Sequence, residues 1–261
     1  MSALATETIA FTAFGVPLAI EVPASLHEAA LEILPPGAVL DPEASPWARI
    51  EVRESDGLVS VACDDAVWGA APEEELALGM LDAQIRAQVA LMAPEHIFVH
   101  AGVVAHHGGA IVLPGFSFAG KTTLVRALVQ AGADYLSDEF AVFDRVGRVH
   151  PYPKALSIRL PEGGGTTTET PAAVLGARTE LLPVPLRLVA VTAYRPGAVL
   201  EPEPLAPGAA LLALLGHTIP ARTRPAQSMA TLKAAISGAT AWRSDRGEAD
   251  DAACQILTRL D

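Results

Sequence analysis

The chain has 261 residues, with 30 acidic against 18 basic side chains and a formal net charge of −12. That balance argues against non-specific nucleic-acid binding, which needs a basic surplus to neutralise phosphates. Cys63 and Cys254 are too few and too far apart for a disulfide framework and point to a reducing cytoplasm. No basic n-region with an apolar h-region opens the chain, and no apolar run of about 18 residues is free of charge or proline, so neither a signal peptide nor a membrane span is expected.

Residues 1–93 predict a small α+β module. Residues 8–14 and 16–22 alternate on either side of Gly15, as a hairpin does. Ser25 caps a short helix over 26–34, which Pro35-Pro36-Gly37 ends. Residues 47–53 and 58–63 flank Ser55-Asp56-Gly57, a second hairpin with an Asp-Gly turn. Residues 73–92 carry Leu76, Met80, Ile85, Val89 and Met92 at helical spacing behind an acidic first turn. No chemistry is legible in this module, and a scaffold or recognition role suits it. Pro94-Glu95 marks the break to a second domain over 94–261.

That domain opens with an apolar strand, 97–105, interrupted by His100. His106-His107-Gly108-Gly109 reads as a hairpin turn. The two histidines lack a third ligand at useful spacing, so a polar turn is expected rather than a metal site. A buried strand, 109–114, then runs into Gly115-Phe116-Ser117-Phe118-Ala119-Gly120-Lys121-Thr122-Thr123, which fits G-x-x-x-x-G-K-[ST] in full. A helical pattern follows up to Gly132. Strand, glycine-rich loop and helix are the context a phosphate-binding (P-loop, Walker A) motif requires. Gly115 and Gly120 permit a tight turn and close approach to an anion, and loop amides at a helix N-terminus point at phosphates. Lys121 supplies a point charge for the β- and γ-phosphates, and the Thr122 hydroxyl a ligand for Mg²⁺.

Next, an apolar strand runs up to Ser137-Asp138-Glu139. An acid at the carboxyl end of a nucleotide-binding strand sits beside the phosphates, where it holds Mg²⁺ or accepts a proton from an attacking hydroxyl. Residues 144–148 form a polar turn. Lys154 and Arg159 read equally as phosphate contacts and as surface cations. Residues 163–168 (Gly-Gly-Gly-Thr-Thr-Thr) suit a mobile loop or a linker. A buried strand over 186–194, a helix over 209–215, a basic loop over 217–227 with Arg222 and Arg224, a helix over 229–236, a strand over 240–244 and a helix over 250–260 complete the chain. The two arginines are weak candidates for stabilising transition-state charge.

Val99-His100-Ala101-Gly102, the 115–123 loop and Ser137-Asp138-Glu139, in that order, resemble the catalytic domain of the HPr kinase/phosphorylase family. That family shares its nucleotide-binding core with phosphoenolpyruvate carboxykinase. The likeness covers roughly residues 95–160. It implies an α/β P-loop core of that type behind a small N-terminal α+β domain. By resemblance, Asp138 is the catalytic base for a serine hydroxyl. Thr122 and Glu139 hold Mg²⁺, Lys121 clamps the phosphates, and His100 lies beside them. Phe118 replaces the family's inner loop glycine, Thr123 replaces an acid, and the Glu-x-Arg-Gly segment is not recognisable. The expected activity is therefore that of an HPr-kinase-related, cytoplasmic kinase using ATP and Mg²⁺. Its acceptor would be a serine of a peptide or protein, or alternatively a small hydroxyl compound such as an amino acid or sugar. A nucleotide-binding regulatory protein without transfer activity is the rival reading. A homo-oligomer is left open.

Overall fold

The computed structural model describes residues 5–55, 57–64, 66–115, 120–159, 167–170, 174 and 182–261. It is a mixed α/β chain with two mixed sheets and six α-helices among the described residues. The chain divides into two compact units, Met1–Glu95 and His96–Asp261. None of the described helices is long and apolar enough to cross a membrane.

The first unit contains β1 (Thr6–Ala13), β2 (Val16–Pro23), α1 (His27–Glu32), β3 (Val39–Leu40), β4 (Ala48–Ser55), β5 (Leu58–Cys63), β6 (Ala66–Ala71) and α2 (Glu74–Met92). Its sheet runs β3-β1-β2-β4-β5-β6. Only β2 and β4 pair in parallel; the other neighbours are antiparallel. The first hairpin turns on Phe14 and Gly15, both at positive φ (49° and 77°), the geometry that matches strand twist in a two-residue turn. β6 carries no alternating pattern, which is why the sequence reading passed over it. Helix α2 buries Ala77, Leu81, Ile85 and Val89.

The second unit contains β7 (His96–His106), β8 (Gly109–Pro114), α3 (Lys121–Gln130), β9 (Asp134–Ser137), β10 (Phe140–Asp144), β11 (Arg148–His150), β12 (Leu156–Arg159), β13 (Thr167–Thr170), β14 (Val184–Tyr194), β15 (Glu203–Pro204), α4 (Pro207–Leu215), α5 (Pro225–Ile236), β16 (Thr240–Arg246) and α6 (Ala249–Thr258). The main sheet runs β11-β10-β7-β8-β14-β16-β15, with β9 also on β7. β8, β14 and β16 are mutually parallel, so their carboxyl ends share one edge. Two apolar clusters cover the two faces. Val104, Ile111, Leu113 and Leu188 pack with α3 and α6 on one face. Val99, Ala101, Val103, Val112 and Val189 pack with Leu214 of α4 and Leu232 of α5 on the other.

Two expectations are corrected here. Residues 217–227 are not one loop, because a short 3-10 turn covers Ile219–Ala221 and α5 begins at Pro225. Proline at a helix's first position gives up no needed hydrogen bond. Residues 167 and 168 are not part of a loop either, because they pair with Arg159 and Ile158 in a two-stranded ribbon. The glycines at 163–165 lie outside the described residues.

Alternation along β7 puts its odd-numbered residues on the α4/α5 face. His100, Gly102 and Val104 therefore face α3. A Cβ built on Gly102 would lie 2.5 Å from Val125 Cγ2 and 3.7 Å from Lys121 Cβ, so glycine lets α3 sit directly on the strand. Gly102→Ala is expected to lower stability by about 1–3 kcal/mol through overpacking against a stiff β-branched neighbour. Denaturant unfolding reads this directly.

Candidate functional site

The site is built at the carboxyl ends of the parallel strands, where open α/β sheets bind ligands. β8 ends at Pro114, and α3 begins at Lys121 behind Gly120. Gly120 adopts φ +76°, a left-handed conformation suited to glycine. The helix has no side-chain N-cap and no acid in its first turn. Its first amides and the positive end of its dipole are thus left for an anion. Phe116, Ser117, Phe118 and Ala119 lie outside the described residues.

Lys121 Nζ donates to the Gly115 carbonyl at 2.9 Å and approaches His100 Nε2 at 3.2 Å. An ammonium has no lone pair, so Nε2 accepts and the imidazole proton sits on Nδ1. That nitrogen faces Glu139 Oε1 at 3.8 Å. Burial, and then the Lys121 charge, hold the His100 pKa below its ordinary value, which fits a neutral acceptor. Burial also lowers the pKa of Lys121, against the pull of Asp138 and Glu139. The His100 amide donates to the His217 carbonyl at 2.8 Å. The His217 ring is likewise held low by burial and by Lys121. No local pattern in the sequence marks His217 for this place.

The acidic pair interrupts a long antiparallel run along β7. Ser137 of β9 pairs with Val103 and Phe140 of β10 with His100. Asp138 and Glu139 lie between these two paired positions, and the bond from the Thr122 hydroxyl sets the Asp138 carboxyl toward α3. Ser137 is fully buried, and its hydroxyl accepts the amides of Glu139 and Phe140 at 3.1 and 2.9 Å. The turn that carries the two carboxylates is thereby fixed.

Asp138 is the most perturbed carboxylate of the site. Burial pushes its pKa up to about 7. A hydrogen bond from the Thr122 hydroxyl and the Lys121 charge oppose this, Glu139 adds to it, and Lys154 opposes it weakly. Asp138 Oδ1 is buried and has no hydrogen-bond partner among the described residues. A buried acceptor with no donor is costly and calls for a proton or a cation. The Thr122 hydroxyl and the two carboxylates are hard oxygen donors of the kind Mg²⁺ takes.

Lys154 is among the charges acting on Asp138. Its backbone is held by Tyr135, whose hydroxyl donates to the Lys154 carbonyl at 2.5 Å. Burial raises the Tyr135 pKa strongly. The Arg159 side chain lies outside the described residues. Arg222 is exposed, and Arg224 Nη1 donates to Gln227 at 3.3 Å. Neither arginine is among the charges acting on Asp138.

The arginine that reaches Gly120 is Arg246. It ends β16 and is only 2% exposed. Nη2 donates to the Gly120 carbonyl at 2.9 Å and Nη1 to the Gly247 carbonyl at 3.0 Å. The guanidinium carbon lies 5.5 Å from the centre of the Tyr194 ring, within cation–π range. The signal for it was positional: the strand after the last parallel crossover ends at the same edge as the loop.

The arrangement can receive an anion at the α3 N-terminus, offset its charge with Lys121, and take up a proton or a hard cation at Asp138. No protein-family model and no curated protein sequence matches the chain.

Proposed function

We propose that the chain is a Mg²⁺- and ATP-dependent phosphotransferase on a P-loop core of the HPr kinase/phosphoenolpyruvate carboxykinase type. It passes the γ-phosphate to a hydroxyl, with serine of a peptide or protein as the leading acceptor. The observation that carries this reading is Asp138, a buried carboxylate with a pKa near 7, bonded to the hydroxyl of Thr122 at an uncapped helix N-terminus. General bases work best when their pKa lies near the operating pH.

The first α3 amides orient the phosphates. Lys121 leaves the Gly115 carbonyl and His100 to meet them. Thr122 and Glu139 are the oxygen donors that would hold Mg²⁺, which when bound neutralises charge on the β- and γ-oxygens. Asp138 takes the proton of the acceptor hydroxyl as that oxygen bonds to the γ-phosphorus. The bond from the γ-phosphorus to the bridging oxygen breaks, and ADP departs with the electron pair. His100 and His217, both held neutral, add no competing positive charge beside Lys121.

The test is γ-labelled ATP with Mg²⁺ in a lysate of the source organism, comparing wild type with Lys121→Ala. A labelled protein, peptide or small product seen only with wild type is expected, and mass spectrometry then names the acceptor. Calorimetric nucleotide binding without any labelling would favour the regulatory reading. Absence of both would overturn the proposal.

A further inference from the structure

Two adjacent histidines on a strand project to opposite faces. At the end of β7 they do not. His107 is the first residue of the two-residue turn into β8, at φ +48°, with Gly108 following at +73°. This left-handed step brings the His107 ring onto the side of His106, with ring centroids 4.1 Å apart. Both Nε2 atoms converge on one carboxylate oxygen, Asp261 Oδ1, at 2.8 Å for His106 and 3.0 Å for His107. The three ligand atoms lie within 4.8 Å of one another. The third ligand that the spacing around these histidines lacks comes, on folding, from a residue more than 150 positions away.

Asp261 is placed by the fold. The Asp261 amide donates to the Leu257 carbonyl at 3.2 Å. Arg187 of β14 donates through Nη2 to the Leu260 carbonyl. Gly109, the first residue of β8, makes room for the Arg187 stem, because a Cβ there would lie 2.7 Å from Arg187 Cβ. Ile256 and Leu257 of α6 anchor this end in the cluster that also holds α3.

We propose that His106, His107 and Asp261 form a binding site for a divalent transition metal of the Zn²⁺ class. Two imidazoles and a carboxylate suit zinc, nickel or copper over Mg²⁺ or Ca²⁺. Metal–ligand bonds of about 2.0–2.2 Å in a tetrahedron put ligand atoms roughly 3.3 Å apart. Each observed N–O pair need open by only a few tenths of an ångström. The side chains of His107 and Asp261 are 62% and 58% exposed, so metal and a completing water reach the site from solvent. Bound metal would staple the chain beyond α6 to the β7–β8 hairpin, the hairpin that carries His100 and leads into the 115–123 loop.

The experiment uses untagged full-length protein, stripped with chelator, and titrates Zn²⁺ against a chromophoric competitor. Co²⁺ absorption reports the coordination geometry. Wild type is expected to bind one equivalent, to show tetrahedral Co²⁺ bands, and to melt at a higher temperature with Zn²⁺ but not with Mg²⁺. His107→Ala and Asp261→Asn are each expected to weaken binding at least roughly tenfold, since even outer-shell partners cost that much. The exposure of both side chains keeps these variants folded. Unchanged affinity in both variants would place the zinc elsewhere, for instance at His100 and Glu139, and overturn the proposal. So would absence of binding by wild type. The outcome does not depend on whether the chain transfers phosphate.

Discussion

Asp138→Asn is expected to be catalytically dead and, at neutral pH, more stable than the wild-type protein. As general base, Asp138 would contribute about 10²–10⁴ in rate. The amide keeps the shape and still accepts the Thr122 hydroxyl, so nucleotide binding should survive. The stability gain follows from the direction of the pKa shift. Burial raises the folded-state value from 3.8 to about 7. Between those two values the unfolded chain has lost its proton while the folded chain keeps it. Each pH unit in that window costs the wild type up to about 1.4 kcal/mol, and the loss levels off above pH 7. Asn does not titrate. The difference in unfolding free energy between variant and wild type should therefore grow from pH 4 to 7 and then flatten. Taking the difference also removes the opposite trend of His100, whose depressed pKa favours folding as pH rises toward its ordinary value. Denaturant melts of the nucleotide-free proteins at several pH values, with rate assays alongside, check both halves. A difference that is flat with pH, or a variant that transfers phosphate at the wild-type rate, would remove Asp138 from the role assigned to it.

Arg246→Met is expected to separate loop geometry from fold stability. The guanidinium holds the carbonyl of Gly120, the residue just before the α3 amides that would meet an anion. Without it, nucleotide affinity should fall at least tenfold, or about 1.4 kcal/mol. The fold should lose little. A buried cation carries a desolvation cost, and an apolar residue of similar length often replaces it at no loss. The Gly120 carbonyl also keeps a donor, the Leu124 amide at 3.2 Å. Calorimetry of nucleotide binding and thermal unfolding of the same samples test this. Unchanged affinity would reduce Arg246 to a packing residue; a collapse of stability would make it a structural one.

Much of the architecture was legible because it rests on local periodicity. The β1–β2 and β4–β5 hairpins, α2, and the succession β8, loop, α3 follow from alternation, turn residues and helical spacing within short windows. β6 was not, because its residues are mostly exposed and carry no alternation.

The candidate site divides in the same way. Gly115, Gly120, Lys121 and Thr122 fall within eight consecutive residues and announce themselves as a motif. That His100 and Gly102 share a face follows from strand period alone. What only the tertiary structure decided is what those faces meet. The pairing of β9 and β10 along β7 puts Asp138 and Glu139 between them, and the close packing of α3 on Gly102 brings Thr122 to the Asp138 carboxylate. Burial by those same contacts moves the Asp138 pKa. Parallel pairing of β14 and β16 delivers Arg246 to Gly120, and the packing of α6 carries Asp261 to His106 and His107. Each of these depends on contacts between residues far apart in the chain, whose register no local pattern encodes.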